Sequence, residues 1–213
     1  GNDTRLIFST TSGFPAFSAE GTVTAYGTTT NQPSWNSTWL ATGDSSGLQV
    51  GDMIHVDYGN GVDGHTNEVV QIIDSNYVRM RFPRPPGLKQ GQSIFKVDPV
   101  REISLENLTV VGAQNAFFGK YLRSANFKGV TATRARFNTV FWHTLDSTAQ
   151  QSLVDDCGGG ITFIGSSGAS VIGNTILNHR MSGVLIRSCS GVLVNKNLVA
   201  GNPNTIGQGI NGD

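Results

Sequence analysis

The chain has 213 residues, 38% of them apolar, with 15 basic and 15 acidic side chains. That is enough apolar matter for a core, and balanced charge on only 14% of residues creates no field to attract nucleic acid or an anionic membrane. Apolar runs are only a few residues long, so no membrane insertion is expected, and the first residues lack the basic and apolar stretches of a signal peptide, which leaves secretion open. With 27 Gly and no 3.6-residue periodicity, the composition points to turn-rich all-β structure.

Residues 1–46 alternate short β-like pieces (Arg5-Leu6-Ile7-Phe8, Gly21 to Tyr26) with polar turns and predict a β-rich N-terminal extension outside any repeat. Residues 47–100 predict a small antiparallel β module. Gly47-Leu48-Gln49-Val50-Gly51-Asp52 feeds an alternating strand, Glu68 to Ile73, Tyr77 to Phe82 and Ser93 to Val97 supply others, and Pro83, Pro85 and Pro86 close one of them. Trp35 and Trp39 sit in a polar loop, as sugar platforms or as anchors of that loop. Asp57, Asp63 and Asp74 occupy turns or strand ends, where Asp serves the backbone; calcium is the one ion they suggest, and otherwise no cofactor is expected. His55, His65 and His179 have no metal-ligand spacing, so no zinc site is expected.

Residues 101–213 carry a repeat. Ala116 to Lys120, Thr139 to His143, Gly160 to Ile164, Gly183 to Arg187 and Gly209 to Asp213 are variants of one phrase, whose second residues fall at 117, 140, 161, 184 and 210, steps of 23, 21, 23 and 26. A second phrase runs between them at Ser104, Asn126, Ser152, Ser170 and Gly191. This period, with Gly and Asn at the corners, predicts a parallel β-helix of about five coils with at least two strands per coil. Cys157 and Cys189 are out of step with the period, so two free thiols are expected. The sequons at Asn2, Asn36 and Asn107 matter only in a eukaryotic secretory host. The chain stops inside the fifth phrase and shows no capping helix before Glu102, so a longer protein is expected, with residues 101–213 a truncated helix.

The Gly-Leu-x-Val-Gly-Asp opening at Gly47, the hairpin module, Glu102 to Val110 and Asn-rich coils such as Gly173-Asn174-Thr175-Ile176 resemble the pectate-lyase-like right-handed parallel β-helix superfamily. The module resembles those of phage tailspikes and related polysaccharide depolymerases. The resemblance covers roughly residues 47–213. It implies a polysaccharide partner, a homotrimer, and an extracellular or virion-tail location, but no single activity, because the superfamily includes lyases, hydrolases and adhesins.

In a strand, alternate side chains face opposite ways. Taking the second and fourth positions of each phrase as inward leaves two outward columns: Phe118, Phe141, Thr162, Leu185, Asn211, and Lys120, His143, Ile164, Arg187, Asp213. An aromatic strip beside a cationic one suits an acidic glycan, with Phe118, Phe141 and Lys120 as substrate-binding residues. In a lyase of this superfamily, His143 or Arg187 would take the proton beside a uronate carboxylate and Lys120 would stabilise the resulting charge. Asp155-Asp156-Cys157 resembles the Asp-Asp-Cys segment of polygalacturonase-type hydrolases but lacks its companion motifs. Asp155 is kept as a candidate catalytic acid, and Asp156 is assigned to a corner ladder with Asn174 and Asn195. Three readings remain: a polysaccharide-recognising and possibly polysaccharide-degrading tailspike part, a structural or adhesive rod, and a secreted lyase or hydrolase of microbial origin.

Overall fold

The computed structural model describes residues 4–7, 13–30, 36–60, 62–201 and 210–212. It is an all-β parallel helix with an antiparallel module docked on its side. Each coil contributes one strand to each of three parallel sheets. The first sheet runs Thr4–Ile7, Leu108–Val111, Thr131–Thr133, Leu153–Asp155, Thr175–His179 and Leu198–Gly201. The second stacks Ser104–Glu106, Asn126–Lys128, Thr148–Gln150, Ser170–Ile172 and Leu193–Asn195, and the third stacks Phe17–Glu20, Phe117–Lys120, Thr139–Trp142, Ile161–Ile164, Val184–Arg187 and Ile210–Gly212. The second phrase of the sequence therefore merged two sheets: its Ser152 member belongs to the first sheet, and the second-sheet strand of that coil is Thr148–Gln150. Residues 1–46, set apart by their lack of repeat, nonetheless supply Thr4–Ile7 and Phe17–Glu20 as edge strands of the first and third sheets, and Thr22–Thr28 and Trp39–Ala41 as the two edge strands of the antiparallel module, which therefore does not begin at residue 47.

The coils bend on single left-handed residues. Four columns line up at the bends: Asn107, Gly129, Gln151, Gly173, Lys196; Gly112, Arg134, Asp156, Asn178; Tyr121, His143, Gly165, Ser188; and Glu102, Ser124, Asp146, Gly168, Gly191. All have φ between 50 and 76°. A left-handed side-chain-bearing residue costs about 1–2 kcal/mol, so these bends persist only where the surroundings hold them. What holds them is the ladder, which continues through the bend: the N–H of Tyr121 donates to Trp142 O, His143 to Ile164 O, Gly165 to Arg187 O, and Arg134 to Asp155 O. Asp156 is thus a corner residue, but its column is Arg134 and Asn178; Asn174 lies inside the coil and Asn195 ends a strand.

The core is a stack of apolar side chains along the helix axis. Phe141 and Phe163 lie face to face, with centroids 4.4 Å apart and planes 5° apart, and Phe117 packs beside Phe141 at 5.3 Å. Gly119 leaves space for the Phe117 ring, since a Cβ there would sit 2.8 Å from it. Polar ladders also run inside; in one of them buried Asn174 accepts from Ser152 N–H and donates to Ala149 O and Asn197 Oδ1. Asn174→Ala would strand the Ser152 N–H in a dry interior, an expected loss of about 2–3 kcal/mol measurable by urea unfolding. Both cysteines are free.

The module is a six-stranded antiparallel sheet in the order Thr22–Thr28, Ser93–Asp98, Met53–Asp57, Gly64–Ile72, Tyr77–Met80, Trp39–Ala41. It has its own core of Leu40, Ile54, Val56, Val69, Val78 and Ile94. It docks against the bends that follow the third sheet. Thr66 N–H donates to Gly165 O, Ser167 Oγ donates to Thr66 O, and Arg123 and Arg81 reach Glu68 and Asp146 at 2.6 Å. Phe82 lies over Gly168 and Gly191, where any Cβ would collide with its ring.

Candidate functional site

The outward face of the third sheet carries two columns, Phe118, Val140, Thr162, Leu185 and Lys120, Trp142, Ile164, Arg187. This corrects the sequence reading at one coil. Phe117 pairs with Thr139, not Val140, and a one-residue shift of register exchanges the two faces of a strand. Phe141 is therefore fully buried in the core, and Trp142 takes the outward place assigned to His143. The signal available was Thr139 itself, which stacks beneath Ile161 and Val184 as the first inward position.

Between these columns and the loops preceding the strands lies an open groove of about 310 Å³, lined chiefly by Phe118, Phe137, Val140, Trp142, Ile164 and Leu185. Phe118 and Trp142 meet edge to face at 6.1 Å, and Trp142 is held by its Nε1–H donating to Val62 O. No titratable side chain lines this groove among the described residues. The cations at its margin are engaged: Lys120 pairs with Glu20 at 3.1 Å and lies over the Tyr121 and Trp142 rings, and Arg187 pairs with Asp63 at 2.7 Å.

The three predicted catalytic residues are not brought together. His143 lies under the module, 3% exposed, and burial, then the neighbouring His55 and Lys120, pushes its pKa down to about 2. A neutral, enclosed imidazole does not exchange protons with a ligand in the groove. Asp155 lies on the first sheet, accepting from Asn178 Nδ2 at 2.8 Å, and Asp156 pairs with Arg180 at 3.3 Å. The turn carboxylates serve the backbone as expected: Asp57 accepts from Gly59 N–H, and Asp74 from Asn76 and Tyr77 N–H. Asp63 accepts from Asn60 Nδ2 and Arg187. Trp39 is 47% exposed on the edge strand of the module; Trp35 lies outside the described residues.

Sequence spacing missed one constellation. His55, His65 and His143 converge where the module meets the helix, all 3% exposed or less, with the His55 and His143 rings 4.0 Å apart. Burial lowers His55 to about 4 and His65 to about 3. His55 Nδ1 contacts the Thr66 hydroxyl, and His65 Nε2 accepts from Asn67 Nδ2.

The fold defines a class, the parallel β-helix of tailspike type. The tailspike gp49 of Pseudomonas phage LKA1 is similar at 17% identity and TM-score 0.63, over 84% of this chain and 34% of that one. The tailspike gp61 of Pseudomonas phage phi297 matches at 14% and 0.63, over 93% and 38%. Gp54 of Acinetobacter baumannii bacteriophage AP22, solved with A. baumannii capsular saccharide, matches at 15% and 0.54, over 87% and 41%. The chain thus spans between a third and about two fifths of the tailspikes it matches. No curated protein matches it. By sequence the chain belongs to the family described as periplasmic copper-binding protein (NosD), whose model matches residues 57–210.

The donors copper takes are imidazole, thiolate and thioether, and those present here do not fit it. Among the described residues no three His, Cys, Asp or Glu side chains come together in an arrangement that could hold a metal ion, and His55 and His65 each direct one ring nitrogen to Thr66 and Asn67. Burial pushes the Cys157 and Cys189 thiols up to about 11, away from the thiolate form, and both contact backbone carbonyls. No step is assigned to copper.

Proposed function

We propose that this chain is the glycan-binding part of a tailspike-like protein, carried on a virion tail or acting extracellularly, and that a polysaccharide lies along the third sheet with sugar faces on Phe118 and Trp142. The observation that carries this reading is the groove itself: aromatic and aliphatic side chains from successive coils form one open track, and pyranose C–H faces pack on such surfaces. The capsular saccharide bound to the AP22 tailspike supports it. The absence of titratable groups from the described lining favours binding over cleavage in this groove. The copper of the family description is not carried over, because the donors do not fit.

Trp142→Ala should lower affinity for a cognate capsular polysaccharide at least about tenfold, measured by calorimetry, with little change in melting temperature. The second reading, a rod whose apolar groove is covered by other copies in a trimer, is favoured by the same apolar lining. Under it, the wild type sediments as a trimer, Trp142→Ala dissociates it, and no polysaccharide binds.

A further inference from the structure

The loops leading from the first sheet to the third form a second cavity, of about 550 Å³, on the other side of the residues that edge the groove. Arg134, Arg136 and Arg180 line it together with one carboxylate, Asp156. It is built into the coil. Arg134 and Asp156 are successive members of one left-handed corner column, so they project from the same edge. Arg136 N–H donates to Ala113 O, Gly158 N–H to Ala135 O, and Arg180 N–H to the carbonyls of Cys157 and Gly158, which locks the loops coil on coil. Gly158 permits the stacking, since a Cβ there would lie 1.8 Å from Arg136 O.

The charge is unbalanced. Arg180 and Asp156 pair at 3.3 Å with side chains 61% and 49% exposed, a contact that a stronger anion can displace. Arg134 and Arg136 have no carboxylate partner among the described residues, and the Arg136 guanidinium lies 5.4 Å from the Phe137 ring centroid. Groove and cavity share their wall: Arg136, Gly158 and Arg180 face the cavity, while Phe137, Gly159 and Met181, the next residue in each case, face the groove. A chain of sugars on Phe118 and Trp142 that continues across Phe137 meets the arginines next. Guanidinium groups bind planar or tetrahedral oxyanions bidentately.

We infer that the Arg134, Arg136 and Arg180 cavity binds an anionic substituent, a carboxylate or a sulfate, of the polysaccharide held in the groove, so that the cognate glycan is acidic. This rests on the glycan-binding reading above, with the anion recognised at these arginines and not at Lys120 and Arg187, which already hold Glu20 and Asp63.

The test compares alginate (carboxylate only), chondroitin sulfate (both groups) and dextran (neutral), with free glucuronate and inorganic sulfate titrated alongside by NMR of the arginine side chains. The wild type should bind at least one acidic polymer tenfold or more tighter than dextran, an advantage that shrinks with salt. Changing all three arginines to Gln should abolish the preference, and changing them to Lys should restore part of it, with melting temperatures unchanged. Alginate against chondroitin sulfate, and glucuronate against sulfate, identify which anion is read. Equal binding of acidic and neutral polymers, or a preference that survives in the triple Gln variant, would overturn the inference while leaving the groove reading standing. Arginine shifts with glucuronate or sulfate but no polymer bound would overturn the groove reading, and with it the assignment of the anion to a polysaccharide substituent. No response to any of the five probes overturns the inference.

Discussion

Acidification below pH 6.5 should destabilise this protein steeply, by up to about 4 kcal/mol per pH unit, through His55, His65 and His143. Their folded values of about 4, 3 and 2 all lie below the ordinary 6.5 because burial penalises the imidazolium. Above pH 6.5 both folded and unfolded chains carry them neutral, and they contribute no pH dependence. As pH falls through 6.5 the unfolded chain takes up three protons that the folded chain refuses until about pH 4, where His55 first accepts one. At pH 5 each group has shifted the balance by about 2 kcal/mol, about 6 kcal/mol in all, against a typical total stability of 5–15 kcal/mol. Lys120 opposes protonation of His55 and His143, while Asp57 favours it at His55. Because all three rings lie where the module meets the coils, module docking should be lost with them. Urea unfolding at intervals from pH 8 to 5 measures the slope, and His143→Phe should remove about a third of it. A stability that stays flat from pH 7 to 5 would refute the burial of these imidazoles.

Phe141→Ala should cost about 3–5 kcal/mol and lower the melting temperature by about 10 °C or more, without altering glycan affinity of the protein that remains folded. The ring is fully buried, stacked on Phe163 and packed beside Phe117, so truncation leaves a cavity between two coils that the ladder prevents from collapsing. With Trp142→Ala, which should do the reverse, this variant tests the register directly. If Phe141→Ala abolished binding and left stability untouched, the strand would be shifted by one residue.

Why the register was misread from the sequence is physical. Alternation fixes a strand's phase only when polar and apolar residues alternate, as in Ile161-Thr162-Phe163. In Thr139-Val140-Phe141-Trp142 the inward first position is a Thr and both outward positions are apolar, so the pattern is inverted where the groove lies. The groove broke the rule by which it was sought, as binding surfaces do when they expose apolar side chains. The corner columns were half legible. Gly129, Gly173, Asn107 and Asn178 are residues that tolerate left-handed backbone, whereas Arg134, Tyr121 and Glu102 adopt it only because the ladder carries through the bend.

The sequence by itself determined the parallel helix, its period of about 22 residues, the antiparallel module and the free thiols, because each is written in local patterns that recur within one or two coils. Only the tertiary structure decided which side chains meet. It sent Phe141 inward and Trp142 outward, paired Lys120 with Glu20 and Arg187 with Asp63, gathered three histidines from positions 55, 65 and 143, and put Arg134, Arg136 and Arg180 around one cavity. In a solenoid, residues one coil apart in sequence lie about 4.8 Å apart in space, so a single-residue insertion re-aims a whole strand, and a docked module covers residues that no repeat count can identify.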